Sequence, residues 1–381
     1  MPRFTRIPLG TVRNDIEDRG DPCRTWMEPS SVTKASGAHA NRASQAEPTV
    51  VELASAPAML ADFASYLSDV MATFGTTPRP EPAASAGAID EHVFGLLVHR
   101  RYSYLGRTKA ARYRQSVMPS IQDDVAHRRP IRFFFDIGPG YHASPEPGAA
   151  GLSFDVGLAE LLMLRQVVMF DAAVRTHHPP GVTFSLVIDN LCGLFTNDVP
   201  LVSTHAYVRR LRALIDELDV TGVVDLLVES EYFTETEYDA AYAAVAPQPP
   251  RDDFGDDDLE NVARFLGRAC TPAEAAERVE RYRRAGTATE ALLARVIRGV
   301  RLTQRATDAT LAFRSFPGGA QRMQVGEIVL VRADGARPRP ILLTSRNRTV
   351  YELTRIAMPG VLPPSVWHVG IARRRADQEI D

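Results

Sequence analysis

Three short apolar runs alternating with two long amphipathic ones constrain this chain more than any other feature. "IRFFF" (131–135), "VTFSLVIDN" (182–190) and "VVDLLVES" (223–230) are rich in β-branched and aromatic residues. Runs this short and this apolar read as strands, and the second has the mostly apolar character of a strand buried on both faces. Between them, "GLAELLMLRQVVMFDAAVRTH" (157–177) and "STHAYVRRLRALIDELD" (203–219) repeat their apolar residues at helical spacing. "HHPPG" (177–181) stops the first helix, because proline cannot continue one. Ser203 or Thr204 offers a cap for the second. Strand, helix, strand, helix, strand predicts a parallel sheet with right-handed crossovers. The fold class expected is α/β: a Rossmann-like, mostly parallel sheet flanked by helices, with additional C-terminal strands.

Those additional strands are "QVGEIVLVRA" (324–333), "RPILLTS" (339–345), "TVYELTRI" (349–356) and "WHVGIAR" (367–373). Upstream, residues 1–48 are polar and without sustained period, and read as a disordered tail. A helix is expected within 50–74, followed by the Pro/Ala linker "GTTPRPEPAASAGA" (75–88) and a further helix over 89–105. Residues 89–376 then form the main domain, with a helical insertion at about 250–311. In that insertion "PQPPRDDFGDDDLEN" (247–261) reads as a solvated acidic loop. The stretch 271–311 reads as helix, opened by Thr271, Pro272 and Glu274.

Composition excludes several classes. Of 381 residues 45% are hydrophobic and 24% charged, and the formal net charge is -3, so no global basic field invites nucleic acid or an anionic membrane. Cys23, Cys192 and Cys270 are odd in number and far apart. They suggest neither a disulfide framework nor a zinc knuckle, and they fit a reducing cytoplasm. No apolar run reaches the roughly 18 residues of a membrane span, and no apolar segment follows the N-terminal arginines as in a secretory signal. The Ala, Arg, Asp and Pro content has the look of a high-GC bacterial sequence.

Each of the three strands ends at an acid: Asp136, Asp189 and Glu229. Open α/β sheets bind ligands outside the carboxyl ends of their strands. Asp136 can anchor a substrate amine or sugar hydroxyl there, or cap the next turn. Gly138 and Gly140, in "DIGPGYHA", can offer backbone N–H groups to a phosphate or simply form a tight turn. Asp189 can act as a general base or hold an amine. Glu229 can face the same cleft. Asn190 tolerates a left-handed turn, which would explain its place behind Asp189. Cys192 has no histidine close in sequence to activate it. "RRYSYLGRTKAARYR" (100–114) is a basic cluster that clamps phosphate through Arg107, Lys109 or Arg112, or is a solvated helix face.

An acid-x-Gly-x-Gly turn after a strand also resembles the first motif of S-adenosylmethionine-dependent methyltransferases. That reading requires a helix to open within a residue or two of Gly140.

A second resemblance covers more of the chain. "HHPPGVTFSLVIDNLCGLFTNDV" (177–199) resembles a stretch of the pyoverdine/dityrosine biosynthesis family, the isonitrile synthases. There a helix ends in a Tyr-Pro-Pro-Gly-like turn and the next strand finishes as Ser-Asp-Gly-x-x-Phe-x-Asp. Here the corresponding residues are His178 to Gly181, then Asp189, Asn190, Phe195 and Asp198. "YVRRLRALI" (207–215) is similar to the family's Tyr-x-x-x-Leu-Arg segment, and "PPSVWHVG" (363–370) to its Thr-Pro-Trp-His ending. The resemblance spans about residues 95–372.

The resemblance implies an enzyme of specialised metabolism that condenses the amine of an amino acid with a pentulose phosphate such as ribulose 5-phosphate. The product is an isonitrile or an N-formyl compound, and neither a cofactor nor a metal is implied. It implies Asp136, His142, Asp189 and His368 as proton-handling residues. Gly138, Gly140, Arg314, Trp367 and Glu229 then bind substrate. The partners are an amine and a phosphosugar, with no nucleic acid and no membrane. One departure is plain: where the family has Phe-Pro-x-Lys-Ser-Pro-Asn, this chain reads Gly138 to Pro145 and has no lysine. His142 can transfer a proton there, but cannot form a Schiff base. A non-catalytic relative that binds a small molecule is the remaining alternative.

Overall fold

In the computed structural model the described residues are 57–74, 86–103, 107–137, 142–143, 152–153, 156–197, 199–249, 270–303, 311–313, 327–332, 337–343, 350–358, 360–366 and 368–374. The expected tail, most of the Pro/Ala linker and most of the acidic loop lie outside them.

The first strand, β1 (Ile131–Asp136), is the middle of a five-stranded sheet. Its neighbours are β4 (Val182–Ile188) on one side and β6 (Val300–Thr303) on the other. Outside β4 lies β5 (Val224–Val228), and outside β6 lies the two-residue β7 (Leu311–Ala312). Every pairing in this sheet is parallel. The alternation read from the sequence therefore builds the sheet it predicts.

Several of the sequence expectations need correction, among them the helix over 89–105, which ends at Leu97. The stretch 271–311 is not one helix. The helix ends at Val296, and residues 300–303 are the strand β6, seated directly beside β1. Gly299 makes the break, with a φ of +123° that other residues rarely adopt. Ser203 and Thr204 do not cap the helix over 201–217: its N-cap is Pro200, and Thr204 sits inside the first turns, bonded to Leu201 O.

Helices cover both faces of the sheet. On one face lie α1 (Pro57–Ala72), α2 (Ala86–Leu97), α3 (Arg107–Ala126), α4 (Leu158–Arg175) and α6 (Leu201–Glu217), which share a core with Ile131, Phe133 and Phe135 of β1. On the other lie α5 (Asn190–Asn197), α8 (Glu235–Ala244) and α9 (Pro272–Val296), whose core meets Phe134, Val187 and Leu227. The short α7 (Glu229–Tyr232) leaves β5 at once. The alternation of Phe133, Phe134 and Phe135 between the two cores is the period-two consequence of a strand covered on both sides. At the centre of the first core the rings of Phe133, Phe135, Phe170, Phe184, Phe313 and Tyr102 pack edge-on, tilted or offset-stacked, with centroids 5.0 to 6.5 Å apart. Thr271 and Glu274 open α9 reciprocally, Thr271 Oγ1 accepting Glu274 N–H and Glu274 Oε2 accepting Thr271 N–H, as expected.

The expected C-terminal strands form a second sheet, β10-β11-β8-β9, from β8 (Glu327–Val331), β9 (Arg339–Leu343), β10 (Tyr351–Ile356) and β11 (Val369–Arg374). Ile328, Leu330, Val369 and Ile371 join the core under α4. A hairpin of β2 (His142–Ala143) and β3 (Leu152–Ser153) follows β1.

The His-Pro-Pro-Gly turn is a structural joint. Gly181 has a φ of +72°, its N–H donates to His178 O and its carbonyl accepts Ile131 N–H. Asp171, buried, accepts Val182 N–H through Oδ1 and pairs with Arg175 through Oδ2. The turn stands at the amino ends of β1 and β4, away from the ligand-binding edge of such sheets.

Candidate active site

The strand order places the site. From β1 the chain steps outward to β4 and β5, then returns to the other side of β1 as β6. In open α/β sheets the crevice at such a reversal takes the ligand, at the carboxyl ends of the strands. Here that point lies between Asp136, the last residue of β1, and Thr303, the last of β6. The two are level by register, because Phe135 pairs with Leu302. One strand over, Asp189 follows the end of β4, and one further, Glu229 follows the end of β5. Three neighbouring strands thus deliver acids to one edge, at about 4.8 Å per strand.

Gly138, Gly140, Arg314 and Trp367 lie outside the described residues, as does Asp198. Lys109, Arg107 and Arg112 stand on the first turns of α3. His142 lies on β2, just past β1. A strand there leaves no room for a helix opening at Gly140, which the methyltransferase reading required. His368 is half-buried and leads into β11 of the second sheet. The segment before it is anchored at the far end of α6, where Ser365 N–H and Oγ donate to the carboxylate of Glu217.

Asp189 and Glu229 are both fully buried. Glu229 is a cap: its Oε2 accepts the N–H of Cys192, in the first turn of α5, at 3.0 Å. A carboxylate at a helix N-terminus is favoured by both the orphan donor and the dipole. Asp189 stands at the N-cap of the same helix, its carbonyl accepting Gly193 N–H at 3.1 Å.

Asn190 does not adopt a left-handed turn, since among the described residues the positive-φ ones other than glycine are Arg128 and Asp219. It opens α5, and its side chain works sideways. Asn190 Oδ1 accepts Ser230 N–H at 3.1 Å, and Asn190 Nδ2 donates to Ser230 Oγ at 2.8 Å. Ser230 Oγ also meets His205 Nε2 at 3.0 Å. Beneath them, Tyr238 is fully buried and donates to Ala285 O at 2.9 Å, with Thr289 Oγ1 at 3.0 Å. Burial pushes its phenol well above the ordinary tyrosine range. Cys192 and Glu229 push the same way, while Thr289 opposes them.

Ser230, His205 and Tyr238 were missed in the sequence. One signal could have found Ser230: β4 and β5 are each followed by an acid and then a small polar residue, Asp189-Asn190 and Glu229-Ser230. Among the described residues no group of three or more His, Cys, Asp or Glu side chains could hold a metal ion. No helix among them is long and apolar enough to cross a membrane.

These features define a Rossmann-type α/β fold carrying acids along the carboxyl edge of its sheet. The fold is that of the PvcA protein from Pseudomonas aeruginosa, a protein of the pyoverdine/isonitrile synthase family. The two structures superpose with a TM-score of 0.55 at 17% identity, over 74% of this chain and 99% of that one. A tryptophanyl-tRNA synthetase homolog from Entamoeba histolytica aligns over 62% of this chain and 54% of its own, at 11% identity and a TM-score of 0.28. No protein-family model and no curated protein sequence matches the chain.

Proposed function

We propose that this chain is an isonitrile synthase-like enzyme that condenses the amine of an amino acid with a pentulose phosphate such as ribulose 5-phosphate. The observation that carries the reading is the shared fold with PvcA over nearly all of that protein's length. The motif resemblance at the ends of the same strands supports it. In this reading the amine nitrogen attacks the sugar carbonyl carbon, and loss of water gives an imine. Proton transfers and cleavage of both carbon–carbon bonds to that carbon then leave it alone on nitrogen, the other four sugar carbons departing as a one-carbon and a three-carbon fragment. Asp136 and Asp189 hold the amine and move its protons at the strand ends. His142 takes a proton where the family has lysine, and His368 serves a second transfer. Gly138, Gly140 and Arg314 hold the phosphate, as an arginine fork suits its oxygens.

The test is thermal unfolding with ribulose 5-phosphate, S-adenosylmethionine and a panel of amino acids, followed by mass spectrometry of products. A ligand bound only by the native state raises Tm by mass action, by about 2.7 kcal/mol of stability at a hundredfold excess over Kd. The expected result is a rise with ribulose 5-phosphate that Arg314→Ala or Asp189→Asn abolishes. A rise without product marks a binding relative. A rise with S-adenosylmethionine alone sinks the reading.

A further inference from the structure

Ile188 and Val228 are paired at the ends of β4 and β5. Beyond them both chains turn into helices, and the backbone ladder stops. Side chains then take over its work. The Asn190 amide accepts from Ser230 N–H and donates to Ser230 Oγ, so one side chain extends the ladder past its end. Glu229 closes the other side by accepting Cys192 N–H. Asp189 immediately precedes Asn190, at the start of the turn that these two cross-links hold. Asn190 is fully buried, where an amide is tolerated only with its bonds made. Ser230 Oγ also lies 3.0 Å from His205 Nε2, on α6, a hydrogen bond whose direction follows the imidazole tautomer.

We propose that Asn190 and Ser230 are positioning residues for Asp189, setting its distance from Glu229. The inference rests on the reading of Asp189 as a site acid. Two buried carboxyl groups on adjacent strand ends repel when both are charged, which raises the pH at which the second ionises. The repulsion falls with separation. A bracket that fixes the spacing of the two turns therefore fixes how readily Asp189 holds a proton. Titratable groups on the packed elements include Tyr238 on α8, on which Cys192 and Glu229 act, and His205 on α6, bonded to Ser230. A bracket that only joins strands would alter stability and leave that proton affinity alone.

The experiment is a carboxyl ¹³C NMR titration of the full chain without ligand, the Asp189 signal assigned with Asp189→Asn. Ser230→Ala removes one oxygen, keeps the N–H bond to Asn190 Oδ1 and leaves Asn190 Nδ2 its second acceptor, Thr204 Oγ1 at 3.4 Å, so it is expected to fold. Its Asp189 midpoint is expected to fall by about half a pH unit or more, as the turns part and repulsion eases. Ser230→Thr keeps the oxygen and is expected to titrate as the wild type does. A midpoint that is unchanged, absent from the folded range in both, or raised overturns the proposal, and so does a threonine variant that behaves like alanine. Asn190→Ala is expected to shift the midpoint the same way; if it does not fold, the Ser230 pair decides. Failure of the ribulose 5-phosphate test would retire the proposed function and leave this titration to decide the positioning role by itself.

Discussion

The N–H of Cys192 donates to Glu229 Oε2 at 3.0 Å, so a residue from the end of β5 caps the helix that leaves β4. The bond crosses between two strand-end turns and is wholly buried. Glu229→Ala strands a buried donor and empties the space, and is expected to lower stability by about 1–3 kcal/mol. Glu229→Gln keeps an acceptor and is expected to cost less, losing only the strengthening that charge gives the bond. Urea unfolding of both variants measures the difference. Equal losses would mean that the carboxylate's charge, and not the bond, holds the turn.

Tyr238 ties pH to the same region. Its phenol is held neutral by burial first, then by Cys192 and Glu229, well above the ordinary range. A group whose folded pKa is raised contributes stability below its unfolded pKa and loses it as pH climbs toward the folded one. Unfolded tyrosine ionises near about pH 10. Stability is therefore expected to fall steeply above that pH, because the unfolded state releases a proton that the folded state keeps. Tyr238→Phe is expected to flatten that slope relative to wild type, at a cost of about 1 kcal/mol near neutrality for the lost bonds to Ala285 and Thr289. Urea midpoints measured from pH 7 upward in both proteins provide the comparison, and identical slopes would exclude Tyr238 as the cause.

Gly181 tests whether the His-Pro-Pro-Gly turn is structural. A Cβ built there lies 2.3 Å from Asp171 Oδ1, and the residue's φ is +72°. Gly181→Ala therefore adds left-handed strain of about 1–2 kcal/mol and pushes Asp171 off Val182 N–H. The combined loss is expected to be about 2–4 kcal/mol. Asp171→Ala already forfeits the second part, so the double variant is expected to lose less than the sum of the two singles. Strict additivity in denaturant unfolding would mean that the alanine methyl never reaches Asp171.

Much of the fold could be read from local pattern. β1, β4 and β5 are short apolar runs with turn residues at their ends, and α4 and α6 carry an unbroken helical period, so periodicity found them. β6 escaped because "VRLT" is four residues long and follows a helix of strong propensity. What makes it a strand is its pairing with β1, a contact distant in sequence. α5 escaped for a related reason: it is eight residues, capped by a carboxylate almost forty positions away. The placing of Asp136, Asp189 and Glu229 at strand ends was legible because strand ends are local features. The Asn190–Ser230–His205 network was not, since each partner comes from a different element.

Gly299 offers the sharpest test of that missed strand. Its φ is +123°, and a Cβ there would sit 2.3 Å from the carbonyl oxygen of Arg132, on β1. Unlike a side-chain tip, that oxygen belongs to a strand buried in the sheet and cannot turn aside. Relief requires β6 to move off β1, and the first casualty is the pairing of Phe133 with Val300. Gly299→Ala is expected to destabilise the protein by at least about 3 kcal/mol, strain and overpacking together. Gly222→Ala, whose Cβ meets nothing within 4 Å, is the control and is expected to stay within about 0.5 kcal/mol of wild type. Hydrogen exchange adds the location. In Gly299→Ala the amides of Val300 to Thr303 are expected to exchange faster, while those of β5, at the far side of the sheet, keep their protection relative to global stability. Uniform acceleration would mean that the two strands part only when the whole sheet unfolds. Selective acceleration would mean that the crevice between β1 and β6 opens by itself, at the edge where Asp136 and Thr303 stand level.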